Sequence, residues 1–308
     1  MKAEILAGLD VPETLMVEST EGMLPLDPSP AAAAVDKMLA EKRDAEGDRP
    51  HAFNRRLRAS WAGGCSRKIG FELIAFPADL ETEARSLRIF RAGDDCHDLI
   101  QSALVDVYGL EIEVAADWWP LLDLGCNIDC NGEMFDKNTG VEIKSMAPFG
   151  FEIATGQRRR DELPGPKFEH TLQSGLGTLA PTINGEQLWI IYINKATSEI
   201  ADWLFSVDEP LPHLGNRTVR EMVADELRRM AGILSRVDNG ELPRAVIPGY
   251  GVVTNPPARA SKGQPWPCRF CSWQPTCSRL GPEVITIEHL RTLTQQQNIE
   301  QEKHSGSC

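Results

Sequence analysis

The stretch Gly140–Met146 reads GVEIKSM, and it sets an acid and a base two residues apart inside what is otherwise a buried β pattern. Residues i and i+2 of a strand share a face, so Glu142 and Lys144 project together while Val141 and Ile143 face the other way. Taken alone, the triplet reads as a solvated strand face with a same-side ion pair. Its surroundings change that reading. From Leu121 to Met146 the chain reads as strand, turn, strand, with Asn131-Gly132 and Asn138-Thr139-Gly140 as the turn signals. Asp129 then ends one strand while Glu142 and Lys144 lie on its neighbour, which brings two carboxylates and an ammonium to a single edge.

That combination suits phosphate chemistry. Hard divalent cations such as Mg²⁺ prefer oxygen ligands, and two carboxylates offset the ion's charge while leaving positions open for water and a phosphate oxygen. The ion lowers the pKa of bound water and stabilises charge on phosphorus. A lysine beside it orients the attacking water or neutralises charge on the phosphate.

Around this centre the pattern reads α, β-β-β, α, β-β, α. Apolar residues recur at helical spacing between Glu83 and Val107, with His97 near their face and Gly93 as a candidate break. Lys167–Leu179 suits a helix, QLWIIYINK and ADWLFSV suit strands, and the stripe from Val219 to Val237 is a helix ended by Asn239-Gly240. Residues 1–50 are acidic, rich in Pro and Ala, and expected to form a mobile arm with a short helix near 31–42. Residues 51–282 are the main domain, and 283–308 a flexible tail.

The chain has 308 residues, 42% hydrophobic and 25% charged, within the range of globular proteins. No apolar run approaches the roughly 20 residues of a membrane span, and the acidic N-terminus lacks a signal-peptide pattern, so a cytoplasmic location is expected. The net charge of −13 argues against a nucleic-acid binder that uses its whole surface. It leaves room for a local basic groove, because screening confines each field to about 10 Å. Arg55, Arg56, Arg58, Arg67 and Lys68 form one basic cluster, and Arg158, Arg159 and Arg160 another.

Asp129 followed by Glu142-Ile143-Lys144 resembles the PD-(D/E)XK nuclease superfamily. In its RecB-like branch an upstream helix carries a histidine that completes the metal site, and AGDDCHDLI places His97 there. That branch also carries Q-x-x-x-Y on the helix after the catalytic strand. Here EHTLQSGLGTLA supplies Gln173, but position 177 is glycine, so the family's tyrosine is not carried over. The resemblance implies an α/β fold, a mixed central sheet flanked by helices of the restriction-endonuclease-like kind. It also implies that His97, Asp129, Glu142 and the Ile143 carbonyl bind Mg²⁺ or Mn²⁺, that Lys144 assists catalysis and that Gln173 positions substrate.

Eight cysteines without a secretory signal point to metal or cluster binding before disulfides. PWPCRFCSWQPTC holds Cys268, Cys271 and Cys277 with no second C-x-x-C to complete a usual zinc set. A 4Fe–4S cluster takes clustered cysteines plus a remote one, and Cys65 in SWAGGCSRKIGFEL is the natural fourth. This order resembles the iron–sulfur branch of RecB-like nucleases, which includes the AddB nuclease domain and the CRISPR-associated exonuclease. Cys96, Cys126 and Cys130 read as packing residues.

The expectation is therefore a metal-dependent DNA exonuclease acting on single-stranded or frayed ends. Arg67, Lys68 and Arg158–Arg160 would lie along the DNA path. No Walker A pattern occurs, so any helicase, recombination or CRISPR partner is a separate protein. The competing readings are a non-catalytic DNA-binding or adaptor subunit and a zinc-stabilised RNA-processing protein.

Overall fold

The computed structural model describes residues 35–41, 56–80, 84–158, 163–249, 251–253, 268 and 271–293. At its centre β3 (Leu124–Met134) and β4 (Lys137–Met146) form a hairpin. The turn is made by Phe135 and Asp136, with φ of 52° and 61°, the left-handed pair that a two-residue hairpin turn of matching twist needs. The turns expected at Asn131-Gly132 and Asn138-Thr139-Gly140 are absent, since both lie inside the paired strands. Their glycines serve close approach instead. A Cβ on Gly132 would sit 2.7 Å from Leu110 Cδ2, and one on Gly140 would collide with Thr178.

The expected mixed central sheet flanked by helices is present. Its main path runs β1 (Leu57–Arg58), β3, β4, β5 (Gln187–Asn194) and β6 (Ile200–Ser206), with β2 (Glu111–Asp117) also on β3. β1 joins β3, and β4 joins β5, in parallel; the other pairs are antiparallel. The β3–β4 ladder runs only from Met134–Lys137 to Cys130–Val141 and then stops. Gly125 of β3 pairs with both Arg58 and Asp117. A strand has two edges, so β1 occupies the edge that β4 has left. The sheet forks at Asp129.

Helices cover both faces, which explains why β5 reads as a continuous apolar run rather than an alternation. On one face lies α3 (Ala84–Tyr108), whose Ile100 and Leu104 pack with Val141, Ile143, Ile191 and Ile193. Gly93 does not break this helix, although glycine there costs about 1 kcal/mol relative to alanine. After β4 comes the short α4 (Pro148–Ala154). On the other face α5 (Phe168–Thr178) lies against the sheet and α6 (Val219–Asp238) against α5, their apolar residues joining one large cluster. Thr218 and Glu221 close a reciprocal capping box that starts α6.

A smaller core joins α2 (Ser66–Leu73) to the C-terminal segment, with Phe71, Leu242, Ile247, Trp273 and Leu290 inside it. The segment contributes β7 (Glu241–Leu242), β8 (Val246–Ile247), β9 (Gly251–Val252), α7 (Gln274–Leu280) and β10 (Ile285–Thr286). Part of the tail expected to be flexible from residue 283 therefore belongs to this core, and residues 294–308 lie outside the described residues. β10 pairs with β7 and Leu290 is buried, because this apolar residue fills the smaller core. Of the N-terminal arm, only helix α1 (35–41) falls among the described residues, and its Asp36 pairs with Arg88 of α3. No helix among the described residues is long and apolar enough to cross a membrane.

The closeness of α5 to β3 accounts for Gly177, where a Cβ would stand 2.8 Å from Ile128 Cγ1 in the buried core. At an open helical position Gly→Ala stabilises by about 1 kcal/mol. Gly177→Ala should instead destabilise by about 1–3 kcal/mol through overpacking, read as a lower denaturant midpoint.

Candidate active site

Where β3 and β4 part, the Ile143 N–H loses its ladder partner. The Asp129 side chain supplies one, with Oδ2 accepting from Ile143 N at 2.6 Å. His97, on α3, brings Nδ1 to 3.7 Å from the same oxygen. One turn along α3, Gln101 Nε2 donates to the Asp129 carbonyl (3.0 Å) and to Glu113 Oε1 (3.1 Å). On β4 the Lys144 ammonium meets Glu142 Oε1, as their shared strand face requires. Asp129, Glu142, Lys144 and His97 are thus brought to one place, together with the backbone of Ile143.

The electrostatics follow from burial. Glu142 is only 2% exposed. Loss of water pushes its pKa up to about 7, against the pull of Lys144 and with a further push from Asp129. Burial likewise raises Asp129 above its ordinary 3.8, opposed by His97, the Ile143 N–H and Lys144. Burial works against the charge on Lys144, but Glu142 outweighs it and lifts the amine above its usual range. Among the described residues no three His, Cys, Asp or Glu side chains stand ready-arranged around a metal ion. Chemically the donor set fits a hard divalent cation, with two carboxylates, a backbone carbonyl and an imidazole. A cation bound there would take Glu142 as a carboxylate and compete with Lys144 for it.

Three groups near this centre were not legible in the sequence. Glu113 lies on β2 beside Asp129 in left-handed backbone (φ 51°) and accepts from Gln101 and Asn127. Nothing in its local sequence marks it. Tyr192 is fully buried on β5, in register with Lys144. Its hydroxyl accepts from Lys167 N and so donates its single proton to His170 Nδ1, each at 2.8 Å. Burial, with Lys144 and Lys167 adding to it, drops the His170 pKa to about 3, so the imidazole is neutral. This chain of bonds anchors the start of α5 to the sheet from β5, so the strand end is held without a tyrosine at 177. Gln173 lies half-buried on α5.

The basic clusters disperse. Arg67, expected along a DNA path, is fully buried. Its guanidinium donates to the carbonyls of Pro243, Gly281 and Glu283 and approaches Cys277 Sγ at 3.8 Å. It clasps α2 to the C-terminal segment and has no face left for DNA. Arg56 pairs with Asp117 and Asp123. Lys68 is exposed. Arg158 lies over the Phe149 ring and pairs with Glu152 at 2.9 Å. Arg159 and Arg160 lie outside the described residues.

Cys65 lies some 200 residues from Cys268, Cys271 and Cys277 in sequence, yet all four pack in one cluster, and Cys65 stands close enough to disfavour ionisation of the other three. Burial first, then the neighbouring thiols, pushes Cys268 up to about 12. Cys277 rises to about 11, chiefly by burial and against the pull of Arg67. Trp273 packs beside them on Phe71. Cys96, Cys126 and Cys130 pack in the two sheet cores, as expected.

No family model matches the chain, and no curated protein matches it significantly. Among solved structures it is similar to SSO0001, with a TM-score of 0.45 and 14% identity over 82% of this chain and 98% of the other. It is also similar to an alkaline exonuclease from Laribacter hongkongensis, with a TM-score of 0.41 and 10% identity over 60% of this chain and 91% of the other. Likenesses at this level do not speak to chemistry.

Because the folded Glu142 holds its proton up to about pH 7 against an ordinary 4.5, its contribution to stability is complete below pH 4.5. It is lost as pH rises through 7. In metal-free buffer the melting temperature should fall between pH 5 and 8 by more in the wild type than in Glu142→Gln. Equal slopes would mean that Glu142 ionises normally.

Proposed function

We infer that the chain is a metal-dependent deoxyribonuclease that hydrolyses phosphodiester bonds at strand ends. The observation that carries this reading is the convergence of Asp129, Glu142 and Lys144 at the fork, with His97 3.7 Å from Asp129. A bound Mg²⁺ or Mn²⁺ would lower the pKa of a coordinated water and offset charge on the phosphate. His97, Asp129, Glu142 and the Ile143 carbonyl would hold it. Glu142 would serve it as a carboxylate, and Lys144 would be available to orient the nucleophile or bind a phosphate oxygen. Asp129 holds the fork through Ile143 N, and its carboxylate would also serve as a ligand to the ion. Gln173 would position substrate, and Lys68 and Arg158 would supply cations for contact with the strand's phosphates.

A trio of buried, mutually perturbed ionisable groups is costly to keep without use. This favours an enzyme over an adaptor that retains only the fold. Gly177 does not argue for a dead site, since packing against Ile128 requires it. Glu142→Ala or Lys144→Ala should each reduce Mg²⁺-dependent release of nucleotides from end-labelled single-stranded DNA by about 100-fold or more. Near-normal activity in either variant would refute the assignment, and cleavage of RNA but not DNA would move the reading to RNA processing.

The finer placement, in the iron–sulfur branch of RecB-like nucleases, rests on Cys65, Cys268, Cys271 and Cys277. Their thiols pack together in one cluster, and binding a metal would displace their protons. They would hold a 4Fe–4S cluster that ties α2 to α7. Anaerobically purified protein should be brown, with about four irons per chain. Cys65→Ala should lose the iron and become protease-sensitive around the C-terminal segment. A colourless protein with one zinc would replace the cluster by a structural zinc site.

A further inference from the structure

A cavity of about 500 Å³ opens beside His97, between α3 and the ends of β4 and β5. Phe90 of α3 forms one wall with its ring 60% exposed. Ser145 and Lys195 form the other. Lys195 spends one N–H on the Ile89 carbonyl, at 3.1 Å, which leaves its remaining donors for the cavity.

Gly93 lies at the same wall. Its backbone is ordinary helix, so nothing in its conformation calls for glycine, and glycine weakens the helix relative to alanine. A Cβ there would stand 3.2 Å from Ser145 Oγ and 3.5 Å from Lys195 Nζ. The missing methyl keeps these two polar groups open to the cavity.

The charges select the ligand. Asp94 and Asp98, one turn apart on α3, and Glu113 from β2 also line the space, against Lys195 and His97. Three carboxylates disfavour a bare phosphate. An exposed ring, donors on one side and acceptors on the other suit a flat, neutral molecule bearing both kinds of group.

We propose that this cavity receives an unpaired nucleobase of the substrate strand, stacked on Phe90 and hydrogen-bonded by Ser145, Lys195 and the acidic wall. The proposal rests on the deoxyribonuclease reading and deepens it. A paired base presents its edge to its partner and cannot enter, so the cavity selects single-stranded or frayed ends.

The test uses full-length Lys144→Ala protein in Mg²⁺ and end-labelled single strands whose terminal residues are either normal or abasic, with affinity read by fluorescence anisotropy. The abasic strand should bind about tenfold more weakly, the size expected of one stacked base. Adding Phe90→Ala should abolish that difference. Gly93→Ala should keep or raise the melting temperature yet weaken binding of the normal strand several-fold. An abasic penalty that survives Phe90→Ala, the lack of any penalty, or normal binding by Gly93→Ala would overturn the proposal. The nuclease reading fails separately: a wild-type protein that shows the abasic penalty but never cuts DNA would sink that reading and leave the cavity assignment standing.

Discussion

The hydrogen bond from Ile143 N to the Asp129 carboxylate is the contact on which the site depends. A central strand cannot leave its neighbour without orphaning backbone groups, and a buried orphan costs as much as a lost hydrogen bond. Asp129 fills that vacancy with a side chain, so β3 and β4 can diverge within one sheet. The same divergence lets β1 enter beside β3 and opens the space in which Glu142, Lys144 and His97 meet. A carboxylate used as a backbone surrogate is thereby fixed in position before any ligand arrives.

Fixing charges in a dry fork makes them costly. Glu142 and Lys144 answer each other, yet burial still keeps the acid's pKa near 7. Such a pair contributes little net stability, because desolvation offsets the attraction. Its value lies in its readiness to exchange partners when a cation and a phosphate bring charges of their own. The neutral His170, locked by Tyr192 and Lys167, adds no positive charge to compete with Lys144.

Away from the fork, the polypeptide's distant segments are held together by one buried arginine. Arg67 donates to the carbonyls of Pro243, Gly281 and Glu283 and so bridges α2 to three points of the C-terminal segment. Trp273 adds its indole N–H to the carbonyls of Phe76 and Pro77, and Asp79 bonds the start of α7 through Thr276. These contacts bring Cys65 to the cysteines of the C-terminal segment.

Much of this was legible in the chain itself. Strand periodicity puts Glu142 and Lys144 on one face, and the helical stripes from Leu87 to Val107 and from Val219 to Val237 give α3 and α6. These are local signals, set by the two-residue and 3.6-residue repeats of the backbone. The sequence misled where one residue type serves two ends. Asn-Gly and Asn-Thr-Gly read as turns, whereas Gly132 and Gly140 are small because Leu110 and Thr178 press on the sheet. Arg67 reads as a surface cation until its carbonyl partners, more than 170 residues away, are in place. Glu113, Tyr192 and His170 carried no local mark, because their roles come from what stands across a strand or under a helix. Periodicity decides which way a side chain points; only the closed fold decides what it meets there and whether water can reach it.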